Sequence, residues 1–358
     1  MKTSTKILAW LTGTASVLII ATLALVYAFG PTMGAMIVGK PVFLLPPTPE
    51  RYATAALDIM EGQGIHGDSP EFAAARAEAE RMLDAAELRD YSDTWPALDL
   101  AIDAAGGKHS KVLRPEGTGD GAGDGGDGDA ADAMPTVTSE EAAGGARVLT
   151  ATVPTHGGDT GGPVSRRYAE TLANGIAREN AAGACGAIVD LRGNGGGDMG
   201  PMVAGLSALL PDGEVLWFDG RGYSTAVTVD AGAVRGGGTP ITVEAGPKMD
   251  VPVAVLVDGG TGSSGEATML AFRGLENSRS FGTPTAGYAS ANMIHPFPGG
   301  ASLMLTVAKD RDRTGAAHMD DPVHPDETTG PAPENAKTAA LEWLSTRGCG
   351  RSARATPP

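Results

Sequence analysis

PVAVLVDGGTGSSGE (residues 252–266) decides the fold. Six apolar or small residues in a row, then an acid, then glycines read as a buried strand running into a tight turn. The serines after the turn open a helix that carries Glu266, Met269 and Leu270. Unpaired N–H groups and the positive end of the dipole at such a helix start can stabilise an oxyanion beside Ser263. The same segment also reads as a plain capping box, with a Ser cap and Glu266 three residues on.

Two further apolar runs, AIVDL (187–191) and LMLTVA (303–308), read as buried strands. Helical spacing lies between the first strand and the one at 252 and again after it, so the expected class is a layered α/β core. The run at 187 leads into DLRGNGGG (190–197), whose three successive glycines let backbone N–H groups face a cavity. No Gly-Lys-Ser/Thr ending follows, so a phosphate loop is not indicated. Asp190 and Arg192 read as structural.

Upstream, Lys2 and Lys6 precede an uncharged stretch at 7–29, which is 23 residues and long enough as a helix to cross a bilayer. The positive flank places the N-terminus in the cytoplasm and the rest outside. A cleaved signal peptide ending near VYA (26–28) is the rival reading. Residues 1–30 are thus an anchor or signal, and Gly/Pro-rich 31–48 a linker. Residues 49–107 form a small helical subdomain, with Ser69 capping a helix that starts at Pro70 and a second helix from 95 or 96 to 105. A core follows over 108–347, and 348–358 is a disordered tail.

The net charge of −16 is half contributed by eight acids between Arg114 and Arg147. They fall in an acidic Gly-rich loop at 116–145, read as solvated and flexible. With no basic stripe, nucleic acid is not an expected partner. Cys185 and Cys349 could pair in an exported chain, and Cys185 reads equally as a buried thiol. Neither lies at metal-ligand spacing. His318 and His324 bracket Asp320 and Asp321, but nothing there fixes ligands, so no metal and no cofactor is expected. A serine nucleophile needs a base. Of six histidines, His109 is the most attractive, following a helix and a Gly-Gly turn and preceding Ser110.

In order, KHS (108–110), GAIVDLRGNGGG (186–197), VAVLVDGGTGSSGE (253–266), GTPTAGYAS (282–290), the strand at 302–308 and PD (325–326) resemble the S41 serine peptidases, the tail-specific or carboxyl-terminal processing proteases. The match runs from about Tyr52 to Asp326. The resemblance implies a core of stacked β-β-α units like that of crotonase and the Clp-type proteases. It implies Ser263 as nucleophile, with an oxyanion hole from Ser264 and the Gly195–Gly197 turn, Gly196 and Gly197 foremost. The usual branch places a Lys base twenty-five residues after the Ser, where this chain has Tyr288. The pair His109–Ser110 instead resembles the tricorn-like branch, in which His is the base and a separate acid orients it. Asp312 is the first candidate for that acid, with Asp320 or Asp321 in reserve. No room exists for a PDZ domain between His109 and the core. The expected activity is extracytoplasmic peptide hydrolysis at the membrane through an acyl-enzyme. The alternatives are an inactive binding module for an apolar ligand or peptide, and an envelope esterase or amidase. The oligomeric state is not indicated.

Overall fold

The computed structural model describes residues 2–115, 133–142, 145–157 and 161–349, with side chains from residue 15 onward. Most of the acidic loop expected at 116–145, and the tail from 350, lie outside these. In chain order the elements are helices α1 (Lys2–Val38), α2 (Pro49–Gln63), α3 (Pro70–Ala85) and α4 (Trp95–Gly106), strands β1 (Lys111–Leu113), β2 (Thr136–Ala142) and β3 (Ala146–Thr152), and helix α5 (Pro163–Ala181). Next come β4 (Gly186–Asp190), α6 (Met199–Gly205), β5 (Gly213–Gly220), β6 (Tyr223–Asp230), β7 (Ala233–Arg235), β8 (Ile241–Thr242), β9 (Val253–Val257) and α7 (Ser264–Phe272). The chain closes with β10 (Ser278–Gly282), β11 (Ser290–Pro296), β12 (Ser302–Arg311), β13 (Ala317–His318), β14 (Glu327–Thr328) and α8 (Pro333–Thr346).

Two compact units divide the chain. The first takes residues 1–121 and 292–307, the second 122–291 and 308–358. In the first unit, Ser69 caps α3 by accepting the Phe72 N–H at 3.0 Å, as its sequence predicts. Tyr52, Leu57, Ile59, Leu98 and Ile102 form its core with Phe297, Leu303 and Leu305 of the β11–β12 hairpin. β1 pairs antiparallel with β12 through Val112 opposite Leu303. The segment expected as a linker at 31–48 is helical as far as Val38. A Cβ on Gly34 would stand 2.6 Å from the Val42 side chain, so the returning chain lies directly against the helix.

The second unit holds a six-stranded sheet in the order β14-β10-β9-β4-β3-β2. β3, β4, β9, β10 and β14 run parallel, and β2 adds antiparallel at the edge. Parallel strands are covered on both faces, which is why β4 and β9 are continuous apolar runs. On one face Val189, Val255 and Val257 pack with Tyr168 and Leu172 of α5 and Leu270 and Phe272 of α7. On the other, Ile188, Ala254, Leu256 and Phe281 meet Ala336, Ala340 and Leu344 of α8. Cys185 and Cys349 form a disulfide that pins the end of α8 to this face, with 5.2 Å between their Cα atoms. In this unit a second sheet, antiparallel, joins residues 308–311 of β12 to β5, then β6, β7 and β8. β2 falls inside the segment expected to be an acidic loop. Its alternation is enough to form an edge strand, with Val137 packed where Gly175 of α5 leaves space.

Candidate active site

β9 delivers the chain at Asp258 into the glycine turn, and β4 delivers a second turn beside it. Three hydrogen bonds lock the two together, and a fourth, from Gly260 to Asp258, closes the first turn. Asp258 Oδ1 accepts the N–H groups of Gly193 and Gly260, both at 2.9 Å. Thr261 Oγ1 donates to Leu191 O at 2.8 Å, and Gly262 N–H donates to Asn194 O at 2.9 Å. Asn194 is fully buried and supports the second turn from inside, accepting the Gly196 N–H at 2.9 Å and donating to Val153 O at 2.8 Å. Asp190 and Arg192 form a bidentate pair at 2.8 and 2.7 Å, the structural role expected of them.

Ser263 sits at the junction of turn and α7 with φ 50° and ψ −119°. That backbone region is nearly reserved for glycine, and a non-glycine residue held there stores strain of the kind found at functional sites. Gly196 faces it, and a Cβ on Gly196 would lie 2.7 Å from the Ser263 Cβ. Gly196 and Gly197 both have positive φ, at 114° and 107°. Gly197 is pressed on the backbone of His156, whose carbonyl would stand 2.1 Å from an added Cβ. Ser264 Oγ donates to Gly197 O at 2.6 Å and holds the turns in register. The second unit therefore brings Ser263, Ser264, Gly196 and Gly197 together. The Gly196 N–H is taken by Asn194 and the Gly195 N–H by Thr155 Oγ1. The N–H groups of Gly197 and Ser264 make no hydrogen bond among the described residues.

Glu266 does more than cap the helix. Fully buried, it accepts the Ser263 N–H at 2.9 Å, the Gly287 N–H at 2.9 Å, the Tyr288 N–H at 2.7 Å and the Thr285 hydroxyl. One carboxylate thus ties the nucleophile turn to the 285–288 turn, and burial pushes its pKa up against those bonds. Tyr288, at the position of the family's Lys, lies with its ring 3.7 Å from where a Gly262 Cβ would be. Asp310 is also buried, with its N–H on Ala289 O at 3.3 Å. Its Oδ1 has no hydrogen-bond partner among the described residues. Burial first, and the Glu266 charge second, raise its carboxyl well above the usual range. Nothing in the spacing of the sequence marks this carboxyl pair, because β12 and α7 meet only in the fold.

His109 belongs to the first unit, in the bend between α4 and β1. Gly107 ends α4 with φ 75°. Ser110 Oγ is buried, accepts the Thr306 N–H at 2.9 Å and donates to Thr306 Oγ1 at 3.1 Å. Thr306 Oγ1 donates onward to Asn292 Oδ1 at 2.8 Å. Gly106 makes this clasp possible, since a Cβ there would stand 1.9 Å from Ser110 Oγ. Burial, followed by the charges of Lys111 and Lys108, lowers the His109 imidazole to about 4.

Asp312 is in the second unit and its oxygens are occupied. It accepts from Thr314 N–H at 2.8 Å, Thr314 Oγ1 at 2.6 Å and Ala316 N–H at 3.2 Å, and lies 2.9 Å from His318 Nε2. Burial acts to raise its pKa, and the bonds from Thr314 and His318 bring it below the ordinary value. The carboxylate expected to orient His109 is engaged by His318. Asp320 and Asp321 lie in the bend before β14, where backbone of 320–322 packs over Gly287. Among the described residues no group of three His, Cys, Asp or Glu side chains is placed to hold a metal.

The sequence profile of peptidase family S41 matches residues 162–329. The nisin-resistance protein of Lactococcus lactis subsp. lactis is 34% identical over 308 residues, covering 86% of this chain and 90% of that protein. A lipoprotein structure from Streptococcus agalactiae superposes with a TM-score of 0.69 at 28% identity, covering 86% of this chain and 99% of that one. The photosystem II D1 C-terminal processing protease shares the fold, with a TM-score of 0.55 at 14% identity over 86% of this chain and 98% of that one.

Proposed function

We infer that this chain, which belongs to peptidase family S41, is a serine peptidase held outside the cytoplasm by its N-terminal helix. The observation that carries this reading is the pairing of a strained Ser263 with two uncommitted N–H groups, on Gly197 and Ser264. In the reaction Ser263 Oγ attacks a peptide carbonyl while His109 takes its proton. The developing oxyanion is received by the Gly197 and Ser264 N–H groups. His109 returns the proton to the leaving amine, and water then hydrolyses the acyl-enzyme by the reverse roles. The lowered pKa keeps the His109 imidazole neutral and open to a proton, while making it a weaker base than a free imidazole. Because Asp312 is filled by its own turn and His318, we assign the hold on the His109 backbone to the Ser110–Thr306 clasp.

Export is supported by Lys2 and Lys6 before the apolar stretch, by one helix segment (Ala15–Val38) long and apolar enough to span a bilayer, and by the disulfide. The substrate class is a peptide, and the relative's name makes nisin the first to test. The decisive experiment is labelling with a fluorophosphonate probe together with mass spectrometry of incubated peptides. Wild type is expected to label and to cleave. Ser263→Ala is expected to do neither, and His109→Ala to lose most of both. Equal labelling of wild type and Ser263→Ala refutes the assignment.

A further inference from the structure

The segment after α1 doubles back along it. Gly30 O accepts the Val42 N–H at 3.2 Å, and Gly34 lies against Val42. The turn is made at Gly39, with φ 73°. Its carbonyl lies 3.1 Å from Nδ1 of the buried His295. From Val42 the chain bends at residues 44 and 45 and enters α2. There the Arg51 guanidinium sits 3.6 Å over the centre of the Tyr27 ring and donates to Tyr27 O. The returning strap therefore has one end beside Gly30 and the other beside Tyr27. It descends toward the N-terminal half of α1 as it goes.

Side chains on the strap divide sharply. Phe43 turns inward, edge-on to Phe297 at 6.4 Å, and Pro47 is buried with its carbonyl bonded by Tyr91 Oη at 2.9 Å. Leu44 and Leu45 turn out, 42% and 69% exposed. They are next to each other at the bend, between Val42, which meets Gly30, and Arg51, which meets Tyr27. A Tyr ring and an Arg side chain are the pair that settles at a bilayer–water boundary. With that boundary at Tyr27, residues 7–26 remain below it, and the upper part of the apolar segment Ala15–Val38 stands above it beside the strap. Those twenty residues rise about 30 Å as a helix, the thickness of a hydrocarbon core.

We propose that Leu44 and Leu45 dip into the outer leaflet beside α1, so that the first unit rests on the bilayer through a second, non-spanning contact. This rests on the reading of α1 as a membrane helix. The partner is the lipid itself: two adjacent leucines without a protein cover, held at the level where an apolar helix leaves its apolar solvent, replace water by acyl chain. Lys40, at the top of the strap beside Gly34, stays in water.

The test uses the full chain in two nanodisc preparations, whose lipid carries a nitroxide near the top of the acyl chain, which reports on positions 45 and 40, or near its end, which reports on position 17 at mid-span. The native cysteines are in their disulfide, so V17C, L45C and K40C can each be labelled singly with an environment-sensitive fluorophore. The expected result is quenching at 17 and 45 and none at 40. Quenching at 17 with position 45 behaving like 40, whether both are quenched or neither, overturns the leaflet contact and leaves the span intact. Absence of quenching at 17 overturns the span itself, and the leaflet contact with it.

Discussion

Glu266 Oε2 accepts the backbone N–H of Ser263 at 2.9 Å, so the residue proposed to attack and the buried carboxylate three positions on are one mechanical unit. The carboxylate is fully buried and has four donors. In Glu266→Gln an amide nitrogen must face N–H groups that need an acceptor. The expected loss is about 2–4 kcal/mol of stability, since unsatisfied buried groups cost 1–3 kcal/mol each and charged acceptors more. Denaturant midpoints measure it, and an unchanged midpoint contradicts the role given to this side chain.

Ser263 is held at φ 50° and ψ −119°. Glycine adopts that conformation without penalty. Ser263→Gly should therefore gain about 1 kcal/mol or more in thermal stability while abolishing probe labelling, whereas Ser263→Ala should lose labelling with little change in stability. A destabilised Ser263→Gly protein would show that the conformation is not strained.

Asp310 has its carboxyl raised well above the ordinary range by burial and by Glu266. Between the unfolded value of 3.8 and that raised value, the folded chain binds a proton that the unfolded chain does not. Stability contributed by this group is full below 3.8 and is lost as pH rises. Asp310→Asn removes the titration and keeps the shape. It should be the more stable protein at neutral pH, and its stability curve should lack the decline. Thermal melts across pH decide this.

His109 has the opposite sign. Its imidazole is lowered from 6.5 to about 4, so between those values the unfolded chain takes up a proton that the folded chain refuses. Its contribution to stability is whole above 6.5 and falls as pH drops toward 4. The same shift keeps the base neutral in mild acid. The acid limb of kcat/KM should fall near pH 4, not near 6.5. A limb centred near 6.5 would mean that His109 is solvated like a free imidazole.

The disulfide closes a separation of 164 residues. Reduction, or the double substitution Cys185→Ala and Cys349→Ala, should cost about 2–5 kcal/mol. The melting temperature with and without reductant measures it. The double variant should show no further response to reductant.

The nucleophile turn was readable because its signals are local: an apolar strand, four residues of turn, then a cap. The start of α3 was readable for the same reason, through Ser69 and Pro70. Glu266 was half readable. Its bond to Ser263 is the capping box seen in the sequence, but its bonds to 285, 287 and 288 depend on how β10 and the next turn arrive. Which glycine N–H groups stay open was not readable at all. Asn194 Oδ1 takes the one on Gly196, and no pattern of residue types announces that. For Asp312 the sequence offers no sign of its neighbour His318, which β13 brings back across the turn. β2 was hidden by the low complexity around it, since seven ordinary strand residues adjoin a stretch of Gly and Asp.

The clasp between Ser110 and Thr306 spans 196 residues, and both ends lie in the same unit. Chains are made and exported from the N-terminus onward. When His109 is made, the residue that steadies its neighbour has yet to be translated. Ser263 and its turn are complete well before Thr306 follows. The order of the chain therefore acts as a timer: the turn of Ser263, the proposed nucleophile, is made first, and the platform of His109, its proposed base, is closed only when Thr306 follows.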